Sequence, residues 1–224
     1  MFKAIRWQHE TMENTSEDWS ERYRPERMDA LVGNDGPRKR IETWLHSWSK
    51  GTPERKGILL VGPPGIGKTT IALATAAEFG WNVVELNASE QRNAAVLRRA
   101  AMSGAVHSSL DSWSSSGQDT SRTLILLDEV DHLGGSFRKV SEKRIEQSFD
   151  SEMEGGLKGD SGGKAELLRI LEETQQPVIM TCNDKMRLYG RSDWRANETR
   201  IRKFADIIEF RRVTAMNLET IARR

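Results

Sequence analysis

The segment from residue 62 to residue 69 has the residue types and the spacing needed to hold a polyphosphate. It matches the pattern G-x-x-x-x-G-K-[ST] in full, between an apolar run and a helix-forming stretch. Its glycines let successive backbone N–H groups point at phosphate oxygens, and the helix that follows directs its positive dipole end to the same place. Lys68 would supply charge for the β- and γ-phosphates, and Thr69 would offer a hydroxyl to Mg²⁺. The predicted nucleotide-binding loop is Gly62, Pro63, Pro64, Gly65, Ile66, Gly67, Lys68, Thr69 and the adjoining Thr70.

A second chemical motif is the pair of carboxylates that ends the apolar run 124–127. Asp128 at a strand end can hold Mg²⁺ through water, opposite Thr69, and Glu129 is placed to polarise an attacking water. Adjacent acids can also simply solvate a strand end. Beside a phosphate loop, however, the pair predicts hydrolysis of the nucleotide rather than binding alone.

The elements that must position these residues alternate along the chain. Apolar runs predict strands at 57–61, 81–86, 123–127, 177–181 and 207–210, and helical spacing predicts helices at 37–48, 69–79, 90–102 and 165–173. Strands that alternate with helices indicate a parallel sheet covered on both faces. Three stretches look less regular: a loose N-terminal extension at 1–18, a Ser- and Gly-rich loop at 107–120, and a charged insertion at 136–159.

Composition restricts the class of protein. Hydrophobic residues make up 37% and charged residues 30% of the 224 residues, with a net charge of +1, so the overall charge does not indicate nucleic-acid binding. No apolar run approaches the ~20 residues of a membrane-spanning helix, and we expect no membrane partner. Residues 1–10 do not resemble a signal peptide. The single cysteine, Cys182, excludes an internal disulfide and is typical of a reducing, intracellular setting.

Four segments together resemble replication factor C, the clamp loader of DNA replication. They are the N-terminal motif 19–25 with 31–34, the phosphate loop, the stretch 85–90 that resembles an Asn-Ala-Ser-Asp box, and the acidic box 128–131. The resemblance implies an α/β fold of the P-loop NTPase AAA+ type: a three-layer sandwich with a five-stranded parallel sheet of order 5-1-4-3-2. It also implies that the N-terminal motif wraps the adenine, through Tyr23, Arg24, Pro25 and Val32. Without the family, Tyr23 and Pro25 could be plain packing residues.

The resemblance also suggests a residue that senses the γ-phosphate. In AAA+ proteins a polar residue at the tip of the strand beside the acidic one contacts the γ-phosphate and the lytic water, and Asn183 is the matching position. Asn183-Asp184 alone would be an ordinary turn. The implied catalytic residues are therefore Glu129, Lys68 and Asn183, with Thr69 and Asp128 as metal ligands and ATP and Mg²⁺ as cofactors.

The large subunit of the family is the better match. Small subunits carry a Ser-Arg-Cys triplet, which cannot exist here because Cys182 stands beside the sensor asparagine. The stretch 160–163 resembles the Asp-Arg-Gly-Gly of large subunits, and 44–48 resembles their Trp-Leu helix. Arg195, Arg200 and Arg202 stay unassigned, which leaves a displaced arginine finger open.

The family implies a domain layout and partners. We expect an AAA+ domain at 19–212 and the beginning of a helical lid at 213–224, which the sequence cuts short. The implied partners are replication factor C small subunits, a sliding clamp of the PCNA type and primer–template DNA. The implied location is cytoplasmic and nucleoid-associated in an archaeon, or nuclear in a eukaryote. Another AAA+ ATPase of DNA metabolism, such as a helicase loader or branch-migration motor, and a nucleotide-binding scaffold without turnover are the alternatives.

Basic residues on two helices are the candidates for DNA contact. In clamp loaders the helices after strands 2 and 3 follow the template backbone. Positions 92 and 99 share a helix face because they are seven residues apart. A solvated basic face is the competing interpretation. The candidates are Arg92, Arg98 and Arg99 on the first helix and Lys164 and Arg169 on the second.

Overall fold

A computed structural model describes residues 23–89, 98, 122–138 and 162–223, and its centre is a parallel β-sheet. The strands are β1 (Gly57–Val61), β2 (Asn82–Asn87), β3 (Thr123–Asp128), β4 (Val178–Cys182) and β5 (Ala205–Glu209). Their order across the sheet is β2-β3-β4-β1-β5, which is the expected 5-1-4-3-2 order counted from the other edge. The predicted fold class is confirmed.

The position of each strand explains its sequence. β1 lies between β4 and β5, and all five of its residues are buried, which requires an apolar side chain on both faces. β2 forms one edge of the sheet, and among its residues only Leu86 is buried. Alternation along β1 sends Leu59 and Val61 into one core and Ile58 and Leu60 into the other.

Helices cover both faces of the sheet and complete three layers. On one face α1 (Asp35–Trp48) and α2 (Lys68–Glu78) contribute buried Leu45, Trp48 and Ile71 to the core. On the other face α3 (Gly163–Glu173), α4 (Lys185–Tyr189) and α5 (Trp194–Arg202) pack over the strands. The helix α6 (Ala215–Ala222) follows β5, and short 3₁₀ turns lie at Met28–Ala30 and Val130–His132. No helix in the described part of the chain has the length and apolar character needed to cross a membrane.

Most element boundaries agree with the sequence expectation to within two residues, and the departures have local causes. α1 begins at Asp35, two residues earlier than expected, directly after Asn34, which adopts the left-handed region at φ 52°. β5 begins at Ala205, two residues early, because residues 205–209 pair along all of β1. The helices α4 and α5 were not predicted, since α4 has only five residues and α5 is short and mainly polar.

Several expectations fall wholly or partly outside the described residues. These are the N-terminal extension 1–18, the helix 90–102 apart from Arg98, which is helical, the loop 107–120, and residues 139–159 of the insertion. The first residues of that insertion, 136–138, are described. Phe137 is 4% exposed and belongs to the core that contains Leu133 and Leu167.

Candidate functional site

The phosphate loop connects the buried end of β1 with the first turn of α2. Gly65 and Gly67 adopt φ values of 74° and 86°, in the left-handed region that side chains disfavour. At Gly62 a Cβ atom would lie 2.5 Å from the carbonyl oxygen of Phe210, so any larger residue would displace β5 from the loop. The glycine spacing of the motif is therefore a requirement of this backbone.

Lys68 begins α2 and turns its ammonium group back into the loop. Its Nζ atom donates to the carbonyl oxygens of Gly62 at 2.8 Å and Pro63 at 2.7 Å, and to Oδ1 of Asn183 at 2.8 Å. Only 5% of the residue is exposed. Burial lowers the pKa of Lys68 from its ordinary value, while the nearby carboxylates, Asp128 among them, oppose that shift. The buried ammonium group is thus held inside the loop by three uncharged oxygen acceptors.

The end of β3 places both acidic candidates against this lysine and its helix. Oδ1 of Asp128 accepts a hydrogen bond from the Thr69 hydroxyl at 3.0 Å and another from the hydroxyl of Thr181. Glu129 follows at φ 55°, and its Oε1 atom accepts from Nδ2 of Asn183 at 3.1 Å. Asn183 therefore bridges the lysine of the phosphate loop and the glutamate of the acidic box.

The structure thus brings the five predicted chemical residues into one network and adds two that the sequence analysis missed. Thr181 contacts Asp128 and the backbone of Glu129, and Asp131 accepts from the backbone of Asn183. A signal for Thr181 existed, because it is the one hydroxyl in the apolar run of β4. Asp131 belongs to the acidic box, but its position after Asp128 and Glu129 does not indicate which group it contacts.

A cleft of about 840 Å³ opens beside the phosphate loop. Tyr23, Pro25 and Val32, which the resemblance assigns to the adenine, line it together with residues of the loop and of α2. The lining also includes residues that the sequence analysis did not name: Phe210, Val213, Leu218 and Ile221. Arg24 is not among the lining residues, and its contact with the base stays a prediction.

The N-terminal segment is fastened to the chain that leaves β5. Nδ2 of Asn34 donates to the carbonyl oxygen of Arg211 at 3.0 Å, and the N–H of Arg211 donates to Oδ1 of Asn34 at 2.9 Å. A Cβ atom on the adjacent Gly33 would lie 2.7 Å from Cγ1 of Val213. Residues 33 and 34, which lie at one wall of the cleft, are therefore held against the segment that leads into α6.

Three of the five basic candidates for DNA contact lie among the described residues, and each of the three has a partner within the protein. Arg98 forms a bidentate ion pair with Glu166, at 2.9 and 3.1 Å, and Glu166 is 3% exposed. Nζ of Lys164 donates to the carbonyl oxygen of Arg187 at 2.9 Å, and burial lowers the pKa of Lys164. Arg169 pairs with Glu173 on the same helix at 2.9 Å. Arg98 thus contacts α3 through Glu166, while Arg92 and Arg99 lie outside the described residues.

Comparison with known proteins connects this geometry to families. Residues 58–206 match the model of the ATPase family associated with various cellular activities, AAA. A replication factor C large subunit of Methanothrix thermoacetophila is 32% identical over 205 residues, which cover 92% of this chain and 36% of the relative. One from Thermofilum pendens is 34% identical, over 87% of this chain and 38% of the relative. The chain thus spans about a third of the length of these relatives.

The fold also resembles solved structures of RuvB from Thermotoga maritima, described as a Holliday junction branch migration motor. One such structure superposes with a TM-score of 0.56 over 90% of this chain and 53% of the other, at 19% identity. At that identity the likeness concerns the fold. The resemblance to replication factor C large subunits expected from the motifs is confirmed, and the chain belongs to the AAA family of ATPases.

Proposed function

We propose that this chain is the ATP-binding part of a clamp loader large subunit, which helps to open a ring-shaped sliding clamp and load it onto primer–template DNA. The observation that carries the proposal is the bridging of Lys68 and Glu129 by Asn183. It occurs in a chain that is 32% to 36% identical to several replication factor C large subunits. The single site therefore combines the parts for phosphate binding and for water activation.

ATP would lie across the loop with its base in the cleft. The left-handed backbone at Gly65 and Gly67 and the buried charge of Lys68 suit a polyphosphate, and the apolar lining by Pro25, Val32 and Ile66 suits a flat base. The loop residues 62–70 would cradle the phosphates through their N–H groups. Tyr23 and Arg24 would complete the enclosure of the adenine.

Mg²⁺ would be held by Thr69 and Asp128. A hydroxyl and a carboxylate whose oxygens lie 3.0 Å apart form the oxygen-only donor set that this hard cation prefers, with remaining positions left to water and phosphate oxygens. The ion would supply neutralisation of the charge on the β- and γ-phosphates. The Thr181 hydroxyl donates to the same Asp128 oxygen as Thr69 and would help to hold that carboxylate in place.

Glu129 would act as the general base and Asn183 would orient the attacking water. The carboxylate of Glu129 is one-third exposed, so water can reach it, and its position is restrained by Nδ2 of Asn183. Hydrolysis needs this positioning because phosphoryl transfer requires little covalent chemistry from the protein. ATP would favour an assembled, DNA-gripping state and hydrolysis on DNA would release the clamp.

The proposed partners are replication factor C small subunits, a clamp of the PCNA type and primer–template DNA. Arg92, Arg98, Arg99, Lys164 and Arg169 are the proposed contacts to the template backbone. We further propose that turnover depends on Mg²⁺ and occurs in the assembled complex. The role places the chain in the cytoplasm beside the nucleoid in an archaeon, or in the nucleus of a eukaryote.

Copurification and turnover together test this function. The chain should form a stable complex with small subunits, and the ATPase activity of that complex should increase on addition of clamp and primer–template DNA. A branch-migration motor or helicase loader would show neither the stable complex nor stimulation by the clamp. A scaffold would form the complex but show no difference between the wild-type chain and Glu129→Gln in turnover.

A further inference from the structure

The ladder between β3 and β4 ends just before the residues proposed for chemistry. Its pairs run from Ile125 opposite Val178 to Leu127 opposite Met180. In contrast, β4 remains paired with β1 as far as Cys182. Glu129 and Asn183 therefore lie where main-chain pairing no longer fixes the distance between their strands.

Thr181 replaces the next ladder bond with its side chain. The N–H of Ile125 donates to the carbonyl oxygen of Pro177, so the same register would direct the N–H of Glu129 to the main-chain carbonyl of Thr181. The N–H instead donates to the Thr181 hydroxyl at 3.0 Å, and Glu129 itself adopts φ 55°, in the left-handed region. Thr181 is 1% exposed. Its single hydroxyl both accepts from Glu129 and donates to Asp128.

Asp131 makes the reciprocal contact, from a side chain after β3 to the backbone after β4. It lies in the 3₁₀ turn after β3, and its two carboxylate oxygens accept from the N–H groups of Asn183 at 2.9 Å and Asp184 at 3.3 Å. The residue is 3% exposed. A buried carboxylate needs such partners, and bonds from backbone donors to a charged acceptor are among the stronger ones in proteins.

We infer that Thr181 and Asp131 form a reciprocal clamp between the ends of β3 and β4 that sets the separation of Glu129 and Asn183. Both are positioning residues, since each holds the backbone of a proposed chemical residue and would itself not touch ATP. The inference rests on the proposed ATP hydrolysis. Because misplacement of a catalytic group by about 1 Å can lower a rate by ~10²-fold, the clamp would affect turnover far more than nucleotide affinity.

Amide hydrogen exchange tests the clamp itself, without any need for activity. Asp131→Asn should accelerate exchange at Asn183 and Asp184, and Thr181→Val should accelerate it at Glu129, each by roughly tenfold or more. Thr181→Ser retains the hydroxyl and should preserve protection at Glu129. Matched controls are Glu166→Gln, a buried carboxylate on α3, and Thr123→Val, a buried threonine at the far end of β3. Unchanged exchange at all three amides would overturn the clamp while leaving the proposed function intact.

Turnover of the chain assembled with small subunits tests the positioning role. Asp131→Asn and Thr181→Val should each lower kcat by about tenfold or more while the KM for ATP changes less than about threefold. Thr123→Val, which changes a threonine at the far end of β3, should retain kcat. If Asp131 acts through Asn183, adding Asp131→Asn to Asn183→Ala should cause little further loss. Additive losses of kcat, or equal losses of ATP affinity, would overturn the positioning role. Absence of turnover in the wild-type complex would instead overturn the proposed function, and the exchange experiment would then test the clamp alone.

Discussion

The side-chain amide of Asn34 and the backbone of Arg211 exchange two hydrogen bonds, although 177 positions separate them in the chain. Asn34 adopts φ 52°, a conformation that asparagine tolerates better than most residues. The pair joins the segment after the N-terminal motif to the residues that lead from β5 into α6. One wall of the cleft therefore depends on a contact that joins residues near the two ends of the described chain.

Asn34→Gly should weaken ATP binding by roughly threefold to tenfold, since each lost hydrogen bond contributes ~1 kcal/mol and the wall becomes mobile. Glycine retains the left-handed backbone, so the change isolates the loss of the amide. Asn34→Asp retains the acceptor for the Arg211 N–H and should give an intermediate affinity. Equilibrium titration with a fluorescent ATP analogue measures the effect, and an affinity equal to the wild type for Asn34→Gly would contradict it.

Lys68→Ala should abolish nucleotide binding, with an affinity loss of at least about 100-fold, because several charge-assisted contacts to phosphate disappear together. The fold should persist, since the lysine donates only to groups at the edge of the loop and to Asn183. Lys39→Ala on the exposed face of α1 is the control. Titration and circular dichroism of the same samples decide the matter: undiminished affinity in a folded Lys68→Ala protein rules out the phosphate-loop assignment.

Glu129→Gln should retain Mg-ATP but lose turnover by about 10²- to 10⁴-fold, because removal of a general base affects only the chemical step. The glutamine retains an oxygen that can accept from Nδ2 of Asn183, so the local geometry is conserved. Turnover is measured in an assembled complex whose other ATP sites are disabled, with the exposed Glu173→Gln as control. Unchanged turnover from this site would exclude Glu129 as the base.

Glu166→Ala should lower the free energy of unfolding by roughly 2–4 kcal/mol, since it leaves the Arg98 guanidinium without its bidentate partner in a largely buried position. The side chain of Glu166 is 3% exposed and that of Arg98 is 25% exposed, so this pair is far more buried than a surface ion pair. Glu173→Ala breaks the exposed pair with Arg169 and should cost less than about 0.5 kcal/mol. Urea denaturation of both variants measures the difference, and equal costs would show that the Arg98 pair contributes no more than a surface contact.

Arg92→Ala and Lys164→Ala should each weaken the binding of primer–template DNA by the assembled complex without changing sequence preference. Each lost phosphate contact should lower the salt slope of affinity by about one. Lys164 must first leave the carbonyl oxygen of Arg187, so its effect also reports whether that bond gives way on DNA. Affinities measured across a salt series supply the slopes. If neither slope changes, both residues are ordinary surface charges.

Local patterns in the sequence determined the scaffold. Buried strands such as β1 need apolar residues on both faces, and a backbone that curls around phosphate needs glycine at fixed positions, so both leave continuous signals. All five strands were placed to within two residues for that reason. The convergence of Lys68, Asp128 and Glu129 also followed, because the carboxyl ends of all strands in a parallel sheet lie along the same edge.

Tertiary structure decided the contacts between residues far apart in the chain. The clamp made by Thr181 and Asp131, the pair of Arg98 with Glu166, and the hold of Asn34 on Arg211 each join segments separated by 50 residues or more. Such contacts depend on strand register and on left-handed backbone at single residues. A polar residue in the sequence does not show which distant residue it will contact. The sequence therefore names which residues can do chemistry, and packing decides which polar residues hold them in place.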